Sequence, residues 1–163
     1  MIPKVDFANS LSVDVNVMHD MVVDSQEIEK IARKIALDHQ IESLELSVAV
    51  VSDPQIRELN KQYLEHDYET DVLSFNLEPD SSKGCLSGEI IVSADTAARC
   101  AAEQSVTARD ELLLYIVHGL LHLMGFDDKN PARRAEMREA ERNYSQQFGI
   151  AYSCPDQQSA EDN

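Results

Sequence analysis

Basic residues are scarce in this chain. Fourteen Lys and Arg stand against thirty Asp and Glu in 163 residues, a formal charge of −16. Nucleic-acid affinity comes mainly from Lys and Arg neutralising phosphates, so this balance argues against a protein that grips a polyanion by bulk charge. A local basic patch, or a partner that supplies such contacts, is then required. Cysteine is also sparse: Cys85, Cys100 and Cys154 are odd in number, far apart and without a C-x-x-C pair. That fits reduced cytoplasmic thiols better than a disulfide framework. No apolar run approaches the roughly 20 residues of a membrane span, and no basic segment followed by an apolar stretch opens the chain. A cytoplasmic protein with no membrane partner is expected.

The length suits one domain with a full core. Alternation in Val13-Asp14-Val15-Asn16-Val17 predicts a half-buried strand, and Leu44 to Val51 a second. Asp24 with Glu27 is a capping pattern, after which Ile28, Ile31, Ala32 and Ile35 recur at helical spacing. Asp53-Pro54 places a cap and a proline at a helix start, with Ile56, Leu59 and Tyr63 facing inward. Strands are expected at about Asp71 to Leu77 and Gly88 to Ser93, separated by loop chemistry from Glu78 to Gly84. Thr107 opens a long apolar helix with acids in its first turn, and Asn130-Pro131 starts a last helix that stops at Gly149. The pattern reads as a single α+β domain, residues 1–150, with a roughly four-stranded mixed sheet covered by about five helices, four of which can be placed. Residues 151–163 read as an acidic, disordered tail.

The chemistry concentrates in His118-Gly119-Leu120-Leu121-His122-Leu123-Met124-Gly125-Phe126-Asp127-Asp128. Residues at i and i+4 share a helix face, so His118 and His122 can point at one ion. Gly125 can end the helix in the left-handed conformation and turn the chain so that Asp127 or Asp128 supplies a third ligand. The helix before it, Glu111 to Val117, is apolar almost all round, which marks it as buried. Buried imidazoles need hydrogen-bond partners or a metal. Three protein ligands and an open position describe a catalytic zinc site. The glutamate of a zincin-like H-E-x-x-H helix is absent, because Gly119 stands in its place, so a zinc peptidase would lack its general base.

The string HGLLHLMGFDD resembles the H-G-x-L-H-L-x-G-Y-D-H signature of the bacterial YbeY family of metal-dependent endoribonucleases and ribosomal RNA maturation factors. Leu59-Asn60-Lys61-Gln62-Tyr63, Thr70-Asp71-Val72-Leu73-Ser74-Phe75 and Ser87-Gly88-Glu89-Ile90-Ile91-Val92-Ser93 resemble its other blocks in the same order. The resemblance implies one Zn2+ per chain held by His118, His122 and Asp128, with Asp128 standing where the family has a third histidine. It places Asn60, Asp71 and Ser74 as candidate cleft residues, with a metal-bound water and no certain catalytic side chain. Leu64 stands where the family carries an arginine thought to contact phosphate.

The implied function is a single-strand-specific endoribonuclease in 16S rRNA 3′ end maturation and ribosome quality control. Its partners would be rRNA and the ribosome or ribosome-associated proteins, not DNA. A ribosome-assembly binding factor with a structural metal is the alternative, and a zinc peptidase is a third. Asp71 or Asp127 is expected to orient a ligating imidazole. Arg133, Arg134 and Arg138 either form a basic patch or belong to a solvated face paired with Glu136, Glu139 and Glu141. His19, His39 and His66 read as surface or loop histidines.

Overall fold

In the computed structural model the described residues are 10–79 and 84–152. Among them the chain runs β1(Ser10–Val17), α1(Ser25–Asp38), β2(Ser43–Val51), α2(Asp53–Leu64), β3(Val72–Asn76), β4(Cys85–Ser93), α3(Ala94–Gln104), α4(Ala108–Leu123) and α5(Pro131–Phe148). The strands form one mixed sheet in the order β1-β2-β4-β3. β1, β2 and β4 are parallel and β3 is an antiparallel edge strand, with Ser74 opposite Ile90. The α+β class and four-stranded sheet match the expectation, and α3 is the helix that the sequence pattern left unplaced.

Side-chain alternation sorts the two faces of the sheet. Leu44, Leu46, Val48, Val50, Ile90 and Val92 join Ile28, Ile31 and Ile35 of α1 and the inner residues of α4 in the main core. Val51, Leu73 and Ile91 point the other way and meet Ile56 of α2 in a smaller cluster. Helix α4 supplies the centre of the main core. Of its residues from Glu111 to Leu123, only His118 and His122 are not buried. It can lie so close to the sheet because two glycines make room. A Cβ on Gly119 would stand 3.2 Å from Ile90 Cγ2 and 3.3 Å from Val72 Cγ2, and one on Gly88 would stand 2.7 Å from Leu123 Cδ1. Gly119 is therefore a packing residue, which explains its place beside His118.

Helix α2 starts one residue earlier than expected. Ser52, not Asp53, is its N-cap, in a reciprocal capping box with Gln55. The freed Asp53 carboxylate instead accepts from Ser93 Oγ at 2.6 Å, Thr96 Oγ1 at 2.7 Å and Arg99 Nη1 at 2.5 Å, tying the starts of α2 and α3 together. The expected tail is anchored at its first two residues. Ala151 N donates to Asp110 Oδ2 at 3.1 Å and Tyr152 hydroxyl to Glu141 Oε1 at 3.4 Å. The rest of that tail, 153–163, lies outside the described residues.

Candidate metal centre

Helix α4 ends in a Schellman turn, with Phe126 N bonded to Leu121 O and Gly125 N to His122 O, both at 3.0 Å. Gly125 has φ +105°, a conformation that residues with a Cβ rarely adopt. The turn is held from outside by Phe126, whose ring meets His39 edge-on at 5.5 Å. The chain then doubles back, and one ligating atom each from His118, His122 and Asp128 falls within 4.8 Å of the others. The sequence left Asp127 and Asp128 open on spacing alone. Here Asp127 turns away: its Oδ2 accepts from Arg133 Nη1 at 2.6 Å and its Oδ1 from Lys129 N at 3.1 Å.

His118 Nδ1 lies 2.8 Å from Glu141 Oε2. A carboxylate only accepts, so Nδ1 carries the proton and Nε2 of a neutral ring presents a lone pair. That Nε2 faces His122 Nε2 at 3.0 Å. Two imidazole nitrogens on one tetrahedral zinc, each at 2.0–2.1 Å, would lie roughly 3.3 Å apart, so the pair is close to ligating geometry. The donor set of two imidazoles and one carboxylate suits zinc and neighbouring divalent ions alike.

Burial opposes charge on His118, but the hydrogen bond and charge of Glu141, helped by Asp71 and Asp128, outweigh it and hold this imidazole above its ordinary range. Burial and the neighbouring His118 push His122 below its ordinary range despite Asp128 and Glu141. His122 is thus kept neutral, the form that binds a metal.

Glu141 is the residue that sequence reasoning missed. It is 2% exposed, whereas the sequence suggested a solvated partner for the α5 arginines. It takes the orienting role expected of Asp71 or Asp127. A signal did exist, since Met137, Glu141 and Tyr144 are buried at helical spacing along α5.

The other expected residues separate. Asn60 is buried, and its Nδ2 donates to Tyr68 O at 3.0 Å, which pins the turn after α2. Asp71 Oδ1 accepts from Val72 N at 2.7 Å and so caps β3. Ser74 pairs with Ile90 and shares the sheet face that α4 covers. Leu64 ends α2 and is 44% exposed. His66 is exposed and stacks on Tyr68. His19 and His39 are half-buried and structural: His19 bonds Asp95 at 2.8 Å and His39 Nδ1 lies 2.9 Å from Ile35 O.

The family model described as "Endoribonuclease YbeY" matches residues 12–149. The chain belongs to the YbeY family. An "Endoribonuclease YbeY" of Syntrophotalea carbinolica is 40% identical over 123 residues, covering 71% of this chain and 82% of that protein. The one of Salinibacter ruber is 38% identical over 131 residues, covering 74% and 83%. A solution structure of a Thermotoga maritima protein matches at TM-score 0.62 and 28% identity, over 93% of this chain and 99% of that one. The YbeY match spans α4, the turn at Gly125 and all of α5, so Glu141 lies inside it with the three candidate ligands.

Proposed function

We propose that this protein is a zinc-dependent endoribonuclease that cuts single-stranded RNA, acting in 16S rRNA 3′ end maturation and ribosome quality control in the cytoplasm. The observation that carries the reading is the convergence of His118, His122 and Asp128 within 4.8 Å in a chain of the YbeY family. A divalent ion held there would act as a Lewis acid toward a phosphoryl oxygen and lower the pKa of water toward about 7, which suits phosphodiester hydrolysis.

The chain's own residues prepare the site. Glu141 fixes the His118 tautomer so that Nε2 points at the ion position. His122 stays neutral and presents its Nε2 from the next turn of the same helix. Asp128 adds one negative charge, which leaves a bound divalent ion with a net positive charge toward phosphate. Arg133 holds Asp127 out of the cluster, so the carboxylate count at the ion stays at one. With Gly119 packed on the sheet, the position where a peptidase needs its glutamate carries no proton-transfer group.

The test is cleavage of an unstructured RNA oligonucleotide and of denatured casein by the purified protein, each with and without chelator. RNA cleavage that disappears with chelator and returns with zinc, with casein intact, is the expected result. Zinc retained with RNA intact would replace this reading by that of a binding factor with a structural metal.

A further inference from the structure

In so acidic a chain most of the arginines are neutralised by a carboxylate. Arg33, Arg57, Arg99, Arg109 and Arg133 each pair with an Asp or Glu, and Arg142 lies over the Tyr152 ring at 5.6 Å. Arg134 differs. Among the described residues its one hydrogen bond runs from Nη2 to the backbone carbonyl of Asp128 at 3.4 Å. Its Nε is buried and bonds nothing. The side chain is half-buried on α5, two turns before Glu141, and Arg134, Arg138 and Glu141 follow one another at i, i+4 and i+7 along one face. Glu141 on that face reaches His118. The guanidinium is therefore held against the loop that carries Asp128, with donors left over.

The electrostatics of the cluster call for such a group. Asp71, Asp128 and Glu141 all act on His118, so an approaching phosphate meets a negative surround. A guanidinium is a rigid fork that matches two phosphate oxygens and loses less hydration than an ammonium. We propose that Arg134 is the phosphate-binding residue of this site, its remaining Nη donors taking the RNA phosphate that lies against the metal cluster. This rests on the endoribonuclease reading above. Arg133, which Asp127 already neutralises, has no such role.

The test uses the zinc-loaded full chain and a labelled single-stranded oligoribonucleotide, with kcat and KM measured between 50 and 200 mM KCl. For Arg134→Gln, KM should rise about tenfold with kcat changed less, and the slope of log(kcat/KM) on log[salt] should shrink by about 0.7, one phosphate contact on a single strand. Zinc content and Tm should match wild type. Arg134→Lys, which keeps the charge but not the fork, should recover part of the loss and nearly all of the salt slope. Arg33→Gln, whose guanidinium pairs with Glu29 on α1, should behave as wild type. Unchanged KM and salt slope in Arg134→Gln would overturn the assignment. So would activity lost in proportion to zinc, since Arg134 would then serve only to hold the Asp128 loop. A wild type that does not cut RNA would refute the endoribonuclease reading itself, and this inference with it.

Discussion

Two clusters in this molecule are built from the same parts, a histidine bonded to a carboxylate at 2.8 Å, and they end differently. Beside α2 and α3, every group is matched. His19 Nε2 meets Asp95, its Nδ1 accepts from Met21 N, Asp95 also accepts from Asp53 N, and Asp53 takes Ser93, Thr96 and Arg99. At the end of α4, His118 Nδ1 meets Glu141, but its Nε2 faces another imidazole nitrogen, and no hydrogen bond to the Asp128 carboxylate occurs among the described residues. A closed network of this kind braces a fold. Two imidazole nitrogens and a carboxylate oxygen within 4.8 Å of one another are what the proposed metal site requires.

That contrast can be broken residue by residue. The largest effect is expected from His122→Ala, which should abolish metal binding and RNA cleavage. It should also remove the stabilisation that bound metal adds, about 2.7 kcal/mol at a free concentration one hundred times Kd. Metal analysis and a melting curve with and without zinc check this. Asp128→Asn should weaken zinc binding by more than the roughly hundredfold upper limit for loss of an outer partner in a competitive chelator titration, while Asp127→Asn leaves it nearly unchanged. The reverse ranking would move the third ligand to Asp127.

Glu141→Gln keeps the shape and loses the charge. It should weaken zinc binding on the order of tenfold without removing the site, because His118 loses its carboxylate anchor but none of its ligating atoms. In the closed network, Asp53→Asn should cost about 1–3 kcal/mol of stability by leaving buried donors poorly matched, with zinc affinity unchanged.

The same network sets a pH dependence. Burial raises the Asp53 carboxyl, but its bonds from Ser93, Thr96 and Arg99 outweigh this and hold it below the usual carboxylate range. Its folded pKa is thus below the unfolded value of about 3.9. The stability it adds is complete above that value and is lost as pH falls through the folded pKa. The wild type minus Asp53→Asn difference in unfolding free energy should therefore be constant from pH 7 to 5 and shrink below 4.

How far the sequence revealed each cluster follows from the distance over which its logic runs. The metal ligands lie within eleven residues, on one helix turn and the glycine-ended turn after it, so spacing alone brought His118 and His122 together and left only the choice between two aspartates. Glu141 comes from α5, twenty-three residues on. In a helix rich in Arg and Glu it looked solvated, although Met137 and Tyr144 mark its inner face. The closed network was invisible because it joins residues between 40 and 76 apart, and the proline at 54 drew the cap to Asp53 instead of Ser52. Helix α3 was not placed because its inner face is mainly alanine, which buries little and leaves a weak periodicity. The strand order, with β4 between β2 and β3, depends on crossovers that no local pattern encodes.

The most direct test of the central claim is a stepwise zinc titration of chelator-stripped protein, with RNA cleavage read at each step. The account predicts a rate that rises from the no-enzyme level, reaches its plateau at one zinc per chain and stays at zero in His122→Ala. Cleavage at full rate by stripped protein, or an equal plateau in His122→Ala, would contradict it.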